Sequence, residues 1–382
     1  MSTKSQAASG SAVATDGIAF KVTAVTSRVP AAERERILAN LGFGKVFSEH
    51  MATVSWDVER GWHDAQVRPY GPIQLDPATS VLHYAQAVFE GLKAFKLGDG
   101  RIGIFRPKDN AARFRRSARR LALPELPDAA FIEAIELLVG LDRDWVPSAS
   151  EQSLYLRPFM YASEVGLGVK PSAKVEFILI ASPSGSYFPT GVKPVTVWLS
   201  EEFSRAAPGG TGEAKCGGNY AASLLAQAQA AAQGCDQVVW LDAIEHSAVE
   251  EMGGMNLFFV FGSGTSARLV TPALTGTLLP GITRDSLLTI GAELGYEVEE
   301  GRVTAADWKA GCADGSLTEV FACGTAAVIT PVGAVKSEGG SWTVGDGQPG
   351  KTTMRLRQAL VDIQRGAEPD EHGWMHILAR AL

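Results

Sequence analysis

Three apolar runs of strand length follow one another closely between residues 237 and 261. They are Gln237–Asp242, Ala248–Gly253 and Asn256–Phe261, and only short gaps separate them. Strands joined by such short gaps pair with antiparallel neighbours, because a parallel connection needs a crossover of a dozen or more residues. We therefore expect an antiparallel sheet in this part of the chain.

The rest of the chain mixes strand and helix patterns, which predicts an α/β fold. Strand character is found in Met51–Trp56, Arg101–Phe105, Ser153–Tyr161, Val175–Ala181, Val195–Leu199 and, with a turn, Glu319–Ile329. Helices are predicted over Asn110–Leu123, Phe131–Leu141, Asn219–Gln233 and from Leu279–Arg284 to about Leu294. No series of alternating strands and helices carries a Gly-rich turn, so a doubly wound nucleotide-binding fold is not expected.

A length of 382 residues exceeds the usual size of one domain, so two domains are expected. The segment Ser182–Lys193 concentrates Ser, Gly and Pro, which is typical of a loop between domains. The predicted division is a disordered tail over 1–30, a small α/β domain over 31–186, an interdomain loop over 187–199 and a larger domain over 200–382.

The charge and the cysteines restrict the partners and the compartment. A net charge of -7 argues against a nucleic acid or an anionic membrane as the main partner, which favours a small-molecule ligand. The four cysteines have neither zinc-type nor disulfide-type spacing, so we expect reduced thiols, no metal and a cytoplasmic protein. The first sixteen residues lack the pattern of a secretory or transit peptide. Apolar runs are too short to span a membrane.

The first candidate for chemistry is Lys215, which lies among small residues in Gly212–Tyr220. A lysine in a Gly-rich segment is most often a solvated surface residue. The functional alternative is a partly desolvated amine that can attack an aldehyde, since its small neighbours would leave space for a flat cofactor ring.

A second group of residues favours the functional alternative. Glu251–Phe258 is followed by Thr271 and by the turn Leu279–Arg284, in which Pro and Gly lead into a helix. The beginning of a helix presents free backbone N–H groups and the positive end of the helix dipole, which suits a phosphate. By itself, this turn could also be an ordinary capped helix.

Together these residues resemble the signature of the fold-type IV aminotransferases that use pyridoxal 5'-phosphate. The matching positions are Glu251, Gly253, Asn256, Phe258, Thr271, Gly281, Ile282 and Arg284. From about Phe43 to Leu382 the chain looks like a branched-chain amino acid aminotransferase, especially the longer form of actinobacteria and eukaryotes. The patterns that narrow the resemblance are Phe43–Lys45, Leu82–Tyr84, Phe89–Gly91, Tyr155–Pro158, Lys215–Tyr220 and Gly324–Ala326.

The resemblance implies a set of cofactor-binding residues. Lys215 would be the catalytic lysine that binds the cofactor covalently, Tyr220 would bond its phenolic oxygen, and Glu251 would keep its ring nitrogen protonated. The phosphate would be held by Arg113, Ile282, Thr283 and Thr325. Arg113 lies in the predicted helix Asn110–Leu123. The remaining arginines of this helix are expected on a solvated face, and they are Arg115, Arg116, Arg119 and Arg120.

Glu250 precedes the expected ring-binding carboxylate. Neighbouring residues of a strand face opposite ways, so we expect Glu250 to face solvent.

The resemblance also implies a substrate pocket. Its apolar wall would be lined by Phe43, Tyr84, Phe89, Tyr155 and Tyr187, although single aromatic residues are more often part of a core. Arg157 would bind the second carboxylate of glutamate. Backbone N–H groups of Thr325 and Ala326 would bind the substrate carboxylate.

The implied activity is reversible transamination of leucine, isoleucine and valine with 2-oxoglutarate, by a ping-pong mechanism in a homodimer. D-amino-acid aminotransferase and aminodeoxychorismate lyase share the fold and are alternatives, as is a scaffold protein without cofactor. Vertebrate members carry a redox Cys-x-x-Cys where this chain has Ala327–Thr330, so a thiol switch is not implied here.

Overall fold

The computed structural model describes residues 18–185 and 191–379, in which two β-sheets are covered by helices. This mixture confirms the predicted α/β class. None of the helices within these ranges has the length and apolar character of a membrane span.

The first sheet contains nine strands, eight of them from the amino-terminal half. The strands are β1 (Lys21–Val22), β2 (His50–Asp57), β3 (Gly61–Pro69), β4 (Ala87–Phe89), β5 (Leu92–Lys96), β6 (Ile102–Phe105), β7 (Ser153–Ala162), β8 (Lys174–Ser184) and β18 (Met375–Ile377). Their order is β1-β3-β2-β8-β7-β5-β6-β18, and β4 pairs with β7. Four helices accompany them: α1 (Ala31–Leu38), α2 (Ser80–Tyr84), α3 (Pro107–Arg120) and α4 (Asp128–Leu141).

The core of this half lies between its sheet and helices α3 and α4. Phe114 and Phe131 from the helices contact Phe177 of β8, and all three are buried. Helix α3 begins at Pro107, three residues before its predicted start, because proline is well suited to the first helical position.

The second sheet also has nine strands. They are β9 (Val195–Ser200), β10 (Gln237–Leu241), β11 (Val249–Met252), β12 (Met255–Phe261), β13 (Arg268–Pro272), β14 (Glu297–Gly301), β15 (Leu317–Gly324), β16 (Val328–Ser337) and β17 (Gly340–Thr343). Their order is β11-β10-β9-β16-β15-β12-β13-β14, β17 pairs with β16, and a pairing of β11 with β12 closes six strands into a ring. The predicted antiparallel pairing of β10, β11 and β12 is confirmed.

Five helices belong to this half: α5 (Gly217–Ala221), α6 (Leu224–Ala232), α7 (Ile282–Glu293), α8 (Ala305–Asp314) and α9 (Lys351–Arg365). The prediction of a single helix over Asn219–Gln233 is therefore wrong, because α5 and α6 divide this segment. Ser223 interrupts it, because its hydroxyl donates to the carbonyl of Tyr220 at 2.6 Å and competes with the helical hydrogen bonds.

The two sheets share one hydrophobic cluster. Phe95 and Phe105 of the first sheet pack in it with Phe258 of the second sheet and with Leu287 and Leu356 of helices α7 and α9. This shared core fixes the two halves against each other. The candidate site lies along their junction.

The segment 1–30, expected to be a disordered tail, differs from that expectation in its described part. Lys21–Val22 pairs in parallel with β3, and the N–H of Val29 donates to Glu49 at 2.5 Å. The free backbone groups of β3 explain this pairing, because an edge strand accepts any extended segment that reaches it.

Candidate active site

The backbone around Lys215 is attached to the first sheet, although the residue follows the second sheet's first strand. The N–H of Phe89 in β4 donates to the carbonyl of Lys215 at 3.0 Å, and Val88 forms a bridge with Cys216. The N–H of Lys215 in turn donates to Oγ of Ser117 in helix α3 at 3.0 Å. The lysine is thereby held at the junction of the two halves.

The side chain of Lys215 is half-buried between aromatic rings. Its Nζ donates to Oη of Tyr220 at 2.8 Å and lies 4.8 Å from the centre of the Phe89 ring. The structure therefore places this amine in a defined pocket and not on a solvated surface loop. A hydroxyl at this distance can hold the amine in one orientation and exchange a proton with it.

Glu251 on β11 is buried, with 1% of its surface exposed. Its Oε1 accepts from the N–H of Leu279 at 2.8 Å and from the amide of Asn256 at 3.2 Å. Burial raises the pKa of this carboxyl, while the charge of Arg205 opposes the increase. Oε2 lies 2.8 Å from Nε of Arg205 but accepts no aligned hydrogen bond from any described residue, so the carboxylate keeps acceptor capacity for the N–H of a protonated ring nitrogen. The residue thus fits a pyridine-type cofactor.

Arg205 is a part of the site that the sequence did not indicate. Its Nε lies 2.8 Å from Oε2 of Glu251, and its Nη2 donates to the carbonyls of Gly212 at 3.0 Å and Thr277 at 2.5 Å. The guanidinium therefore joins Glu251 to the segment Gly212–Tyr220 that carries Lys215. The residue stands alone before a Gly-rich segment, and no local pattern marks it.

The prediction that Glu250 faces solvent is wrong. This side chain is 5% exposed, and Oγ1 of Thr277 donates to its Oε1. It does point away from Glu251, as strand alternation requires, but the opposite face of β11 is covered by the segment that follows β13. The alternation of side chains assigns residues to the two faces of a strand, but it does not show that either face is exposed to solvent.

Arg113 lies in the buried centre of helix α3. It forms two hydrogen bonds with the carboxylate of Glu90, at 2.7 and 2.8 Å, and its Nη1 donates to the carbonyl of Pro280 at 3.0 Å. Burial raises the pKa of Glu90, but the charge and hydrogen bonds of Arg113 outweigh it and the pKa lies below its usual value. A fixed guanidinium is thereby brought to the turn that precedes helix α7.

Helix α7 begins directly after Gly281. Within the part of the chain that the structure describes, no side chain caps the first turn of this helix. Asn256 holds the turn before α7, since its amide donates to the carbonyl of Leu279 at 3.0 Å. A Cβ at Gly281 would lie 2.0 Å from Oδ1 of Asn256, so only glycine fits. The N–H groups of Ile282 and Thr283 and the guanidinium of Arg113 border one place where a phosphate could bind.

Four of the residues expected in the substrate pocket are in contact. The rings of Phe43 and Tyr155 lie 5.0 Å apart, and the guanidinium of Arg157 lies 5.0 Å from the Phe89 ring centre. Arg157 also donates to Oη of Tyr155 at 3.2 Å. Its buried Nε has no partner among the described residues, so this arginine has donor capacity left for a ligand.

Thr325 and Ala326 form the turn between β15 and β16, on the other side of the junction. Lys93 holds this turn, because its Nζ donates to the carbonyl of Ala326 at 2.8 Å. Lys93 is paired across the sheet with Tyr155, so the turn is connected to the aromatic wall. The sequence did not indicate Lys93, and its partner lies 233 residues away.

One expected pocket residue, Tyr84, is not brought to this cluster. Tyr84 lies on the surface, 40% exposed, and its hydroxyl donates to the carbonyl of Leu167. Tyr187 lies outside the described residues. Arg115, Arg116, Arg119 and Arg120 are half-buried or exposed, and the solvated face predicted for them is confirmed.

Comparison with known proteins agrees with this arrangement. The model of the family described as amino-transferase class IV matches residues 87–335. The chain is similar to the branched-chain-amino-acid aminotransferase of Mycolicibacterium smegmatis, with 62% identity over 93% of this chain and 97% of that protein. It is also similar to the enzyme of that name from Mycobacterium tuberculosis, with 58% identity over 93% of this chain and 97% of that protein.

Solved structures show the same fold. The crystal structure of the Escherichia coli branched-chain amino acid aminotransferase is similar with a TM-score of 0.72 and 28% identity, over 87% of this chain and 100% of that chain. A second enzyme of that name, from the organism abbreviated T.th. and solved with pyridoxamine 5'-phosphate, has a TM-score of 0.70 and 30% identity, over 86% of this chain and 99% of that one. The fold-type IV architecture expected from the sequence is confirmed.

Proposed function

The chain belongs to the branched-chain-amino-acid aminotransferases of class IV, enzymes that use pyridoxal 5'-phosphate, and we propose that 2-oxoglutarate is its amino acceptor in a ping-pong cycle. In the first half of the cycle leucine, isoleucine or valine leaves as its 2-oxo acid. The amino group stays with the enzyme until 2-oxoglutarate removes it as L-glutamate. The second half then reverses the first with a different side chain.

One observation carries the assignment of the catalytic residue. The amine of Lys215 is held against Tyr220 at 2.8 Å in the junction that also contains Glu251 and Arg113. We assign to Lys215 the covalent binding of the cofactor and the movement of the proton from the substrate's Cα. Pyridoxal phosphate, when bound, supplies a conjugated ring that accepts the electron pair of the broken Cα–H bond.

The other cofactor contacts divide among separate elements. Glu251 Oε2 would keep the ring nitrogen protonated, and Tyr220 would bond the phenolic oxygen. The phosphate would lie against Arg113, Ile282, Thr283 and Thr325. Because these groups come from both halves of the chain, the junction between the halves both orients the ring and excludes water from it.

For the substrate, we assign its carboxylate to the N–H groups of Thr325 and Ala326, and its apolar side chain to the wall formed by Phe43, Phe89 and Tyr155. Arg157 supports the choice of 2-oxoglutarate, because its buried Nε lacks a partner among the described residues and can receive a second carboxylate. The pocket would thus accept both an apolar and an acidic side chain. Tyr187 keeps its proposed place in the wall.

We further propose a homodimer. An exposed apolar patch surrounds Tyr84, and its members are Leu82, Tyr84, Val165, Leu167 and Val169, which are 40–83% exposed. A patch of this kind marks an interaction surface. In a dimer Tyr84 would complete the pocket of the partner subunit. Sedimentation of the purified protein as a monomer at micromolar concentration would contradict this.

We also propose a domain division and a cellular compartment. The small domain over 31–186 is supported by β2 to β8 of the first sheet, and the large domain over 200–382 by β10 to β17 of the second sheet. Strand β9 (Val195–Ser200) occupies the end of the segment 187–199 proposed as a loop, and β18 (Met375–Ile377) of the large domain pairs with the first sheet. The four cysteines, all in the described ranges, are free thiols, which supports a reducing cytoplasm. Limited proteolysis tests the division, and cell fractionation tests the compartment.

The Lys215→Ala variant tests the catalytic assignment. We expect loss of turnover with L-leucine and 2-oxoglutarate, and loss of the adduct that borohydride traps between protein and cofactor. Lys309→Ala is the matched control, because Lys309 is an exposed lysine on helix α8. Normal turnover in Lys215→Ala would refute the assignment.

A substrate panel separates this proposal from its relatives. We expect activity with L-leucine, L-isoleucine and L-valine and with 2-oxoglutarate as acceptor. Activity with D-alanine but not with L-leucine would instead favour a D-amino-acid aminotransferase. A colourless protein that binds no pyridoxal phosphate would favour a scaffold.

A further inference from the structure

A second cavity lies on the side of β11 that faces away from Lys215. Its volume is about 290 Å³, and it lies between the turn that follows β10 and the segment that follows β13. A cavity of roughly 150 Å³ is already large enough for one benzene ring. This one can therefore hold a small organic molecule.

The walls of this cavity are mostly apolar. Its apolar lining residues include Pro208, Ala243, Val249, Pro272, Ala273 and Leu278. Ile244, which is 74% exposed, lies at its opening. An occupant thus needs an apolar body.

Glu250 is the polar group of the wall that lacks a full set of partners. Oγ1 of Thr277 donates to its Oε1, but its buried Oε2 has no hydrogen-bond partner within residues 18–185 and 191–379. Burial raises the pKa of Glu250, and its bond with Thr277 and the charge of Arg205 act against the rise. A buried acceptor without a donor is costly, and an incoming N–H group would remove that cost.

The charges around the cavity leave Glu250 uncompensated. Two buried carboxylates, Glu250 and Glu251, lie beside Arg205, and its guanidinium is in direct contact with Glu251. Asp242 accepts from four backbone N–H groups and needs no further partner. At the opening, Glu245 and Arg302 pair with each other, so their charges cancel.

We propose that this cavity is a binding site for a small organic cation with an apolar body. The N–H groups of an amidinium, guanidinium or protonated amine donate to Oε2 of Glu250, and the apolar body lies against the wall of Pro272, Ala273 and Leu278. The site is separate from the one at Lys215. Thr277 connects the two, since its side chain bonds Glu250 and its carbonyl accepts from Arg205.

Two probes of equal shape test the proposal on the holoenzyme. Benzamidine carries the cation and benzamide is its neutral counterpart, and neither has the alkyl amine of a substrate. Saturating 4-methylvaleric acid keeps the site at Lys215 occupied, as this carboxylate is found in a complex with the T.th. aminotransferase. By calorimetry we expect one benzamidine per chain, bound at least tenfold more tightly than benzamide.

Two variants assign this preference to the cavity. Glu250→Gln keeps the shape and the bond to Thr277 but removes the charge, so the preference for benzamidine should disappear. Ala273→Phe fills the cavity and should weaken the binding of both probes at least tenfold. If Ala273→Phe does not fold, Ala248→Leu serves as the cavity-filling variant instead. Cofactor absorbance and circular dichroism report the folding of each variant.

The proposal fails if wild-type enzyme binds the two probes equally, or if Glu250→Gln retains the preference. Unchanged affinity in a folded cavity-filling variant would also refute it. None of these outcomes bears on the transaminase assignment, which Lys215→Ala tests separately.

Discussion

Nε of Arg205 lies 2.8 Å from Oε2 of Glu251, and the two side chains are 6% and 1% exposed. This ion pair sets the charge of the carboxylate assigned to the ring nitrogen. Burial raises the pKa of Glu251, and Arg205 is the group that opposes this most strongly.

Arg205→Met is therefore expected to leave a buried, uncompensated carboxyl, which raises the pKa of Glu251 further and favours its protonated form. A neutral Glu251 cannot keep the ring nitrogen protonated, so kcat should fall at least tenfold. Stability should fall by about 3–5 kcal/mol, the usual cost of removing one partner of a buried pair. Steady-state kinetics and urea unfolding measure both effects.

Arg268→Met is the matched control, because Arg268 pairs with Glu299 at the surface, where both side chains are more than a third exposed. The double variant Arg205→Met with Glu251→Gln should lose no more activity than either single variant. Residue 251 carries no negative charge in any of these three variants, so the second substitution removes nothing further. Wild-type kcat in Arg205→Met would contradict this role.

Arg113→Met is expected to invert the pH dependence that Glu90 contributes to the free energy of unfolding. In the wild-type protein the pKa of Glu90 is lowered, so its contribution to stability is present above its unfolded value near 4.5 and is lost as the pH falls. Without Arg113 burial raises that pKa, and the apoenzyme is destabilised as the pH rises above about 4.5. The loss of stability relative to wild type should be large at about pH 7.5 and should shrink towards about pH 4.5.

Urea unfolding of the apoenzyme at the two pH values measures this difference. Arg116→Met is the control, as Arg116 is exposed on the same helix. A stability loss in Arg113→Met that does not depend on pH would show that Glu90 is not the group affected.

Lys93 is expected to make substrate binding depend on pH. Burial lowers its pKa to about 7, with a further decrease from Arg365 and Arg357 and an opposing effect of Glu151. Below pH 7 the ammonium holds the carbonyl of Ala326, whereas above it the neutral amine is a weaker donor. The KM for 4-methyl-2-oxopentanoate, whose carboxylate does not titrate there, should rise as the pH passes through about 7.

Lys93→Met should have a raised KM without this inflection, and kcat should change less than KM. Kinetics between about pH 6 and 9 provide the measurement. An inflection that persists in Lys93→Met would assign the titration to another group.

Gly91→Ala is expected to displace the aromatic wall of the substrate pocket. A Cβ at Gly91 would lie 2.0 Å from Oη and 2.8 Å from Cζ of Tyr155, so the tyrosine must move. We expect the KM for L-leucine to rise about tenfold, in line with about 1.4 kcal/mol of lost binding. Gly98→Ala is the control, because nothing lies within 4 Å of its added Cβ; equal KM values for the two variants would contradict the prediction.

The sequence predicted those parts of the site whose residues lie close together in the chain. Lys215 and Tyr220 are five residues apart, and Glu251 and Asn256 are similarly close, so fixed spacing identifies them. The strands and the turn before α7 follow the same logic, since local patterns determine them.

The parts that were missed depend on distant partners. Lys93 contacts Ala326, and Arg205 contacts Glu251, across chain separations that no local pattern records. The error at Glu250 has another cause. The face of β11 that carries Glu250 is covered by the segment that follows β13, and alternation alone cannot distinguish a covered face from a solvent-exposed one.

The position of β18 has a consequence for synthesis of the chain on the ribosome. Met375–Ile377 pairs with β6, and the N–H of Arg106 donates to the carbonyl of Trp374 at 2.7 Å. Amino-terminal parts of a chain generally fold first, yet the edge of β6 stays unpaired until β18 has been translated. Throughout that interval the edge is a template for pairing with other nascent chains. Truncation or premature termination shortly before Met375 should therefore produce insoluble protein more readily than a comparable loss elsewhere.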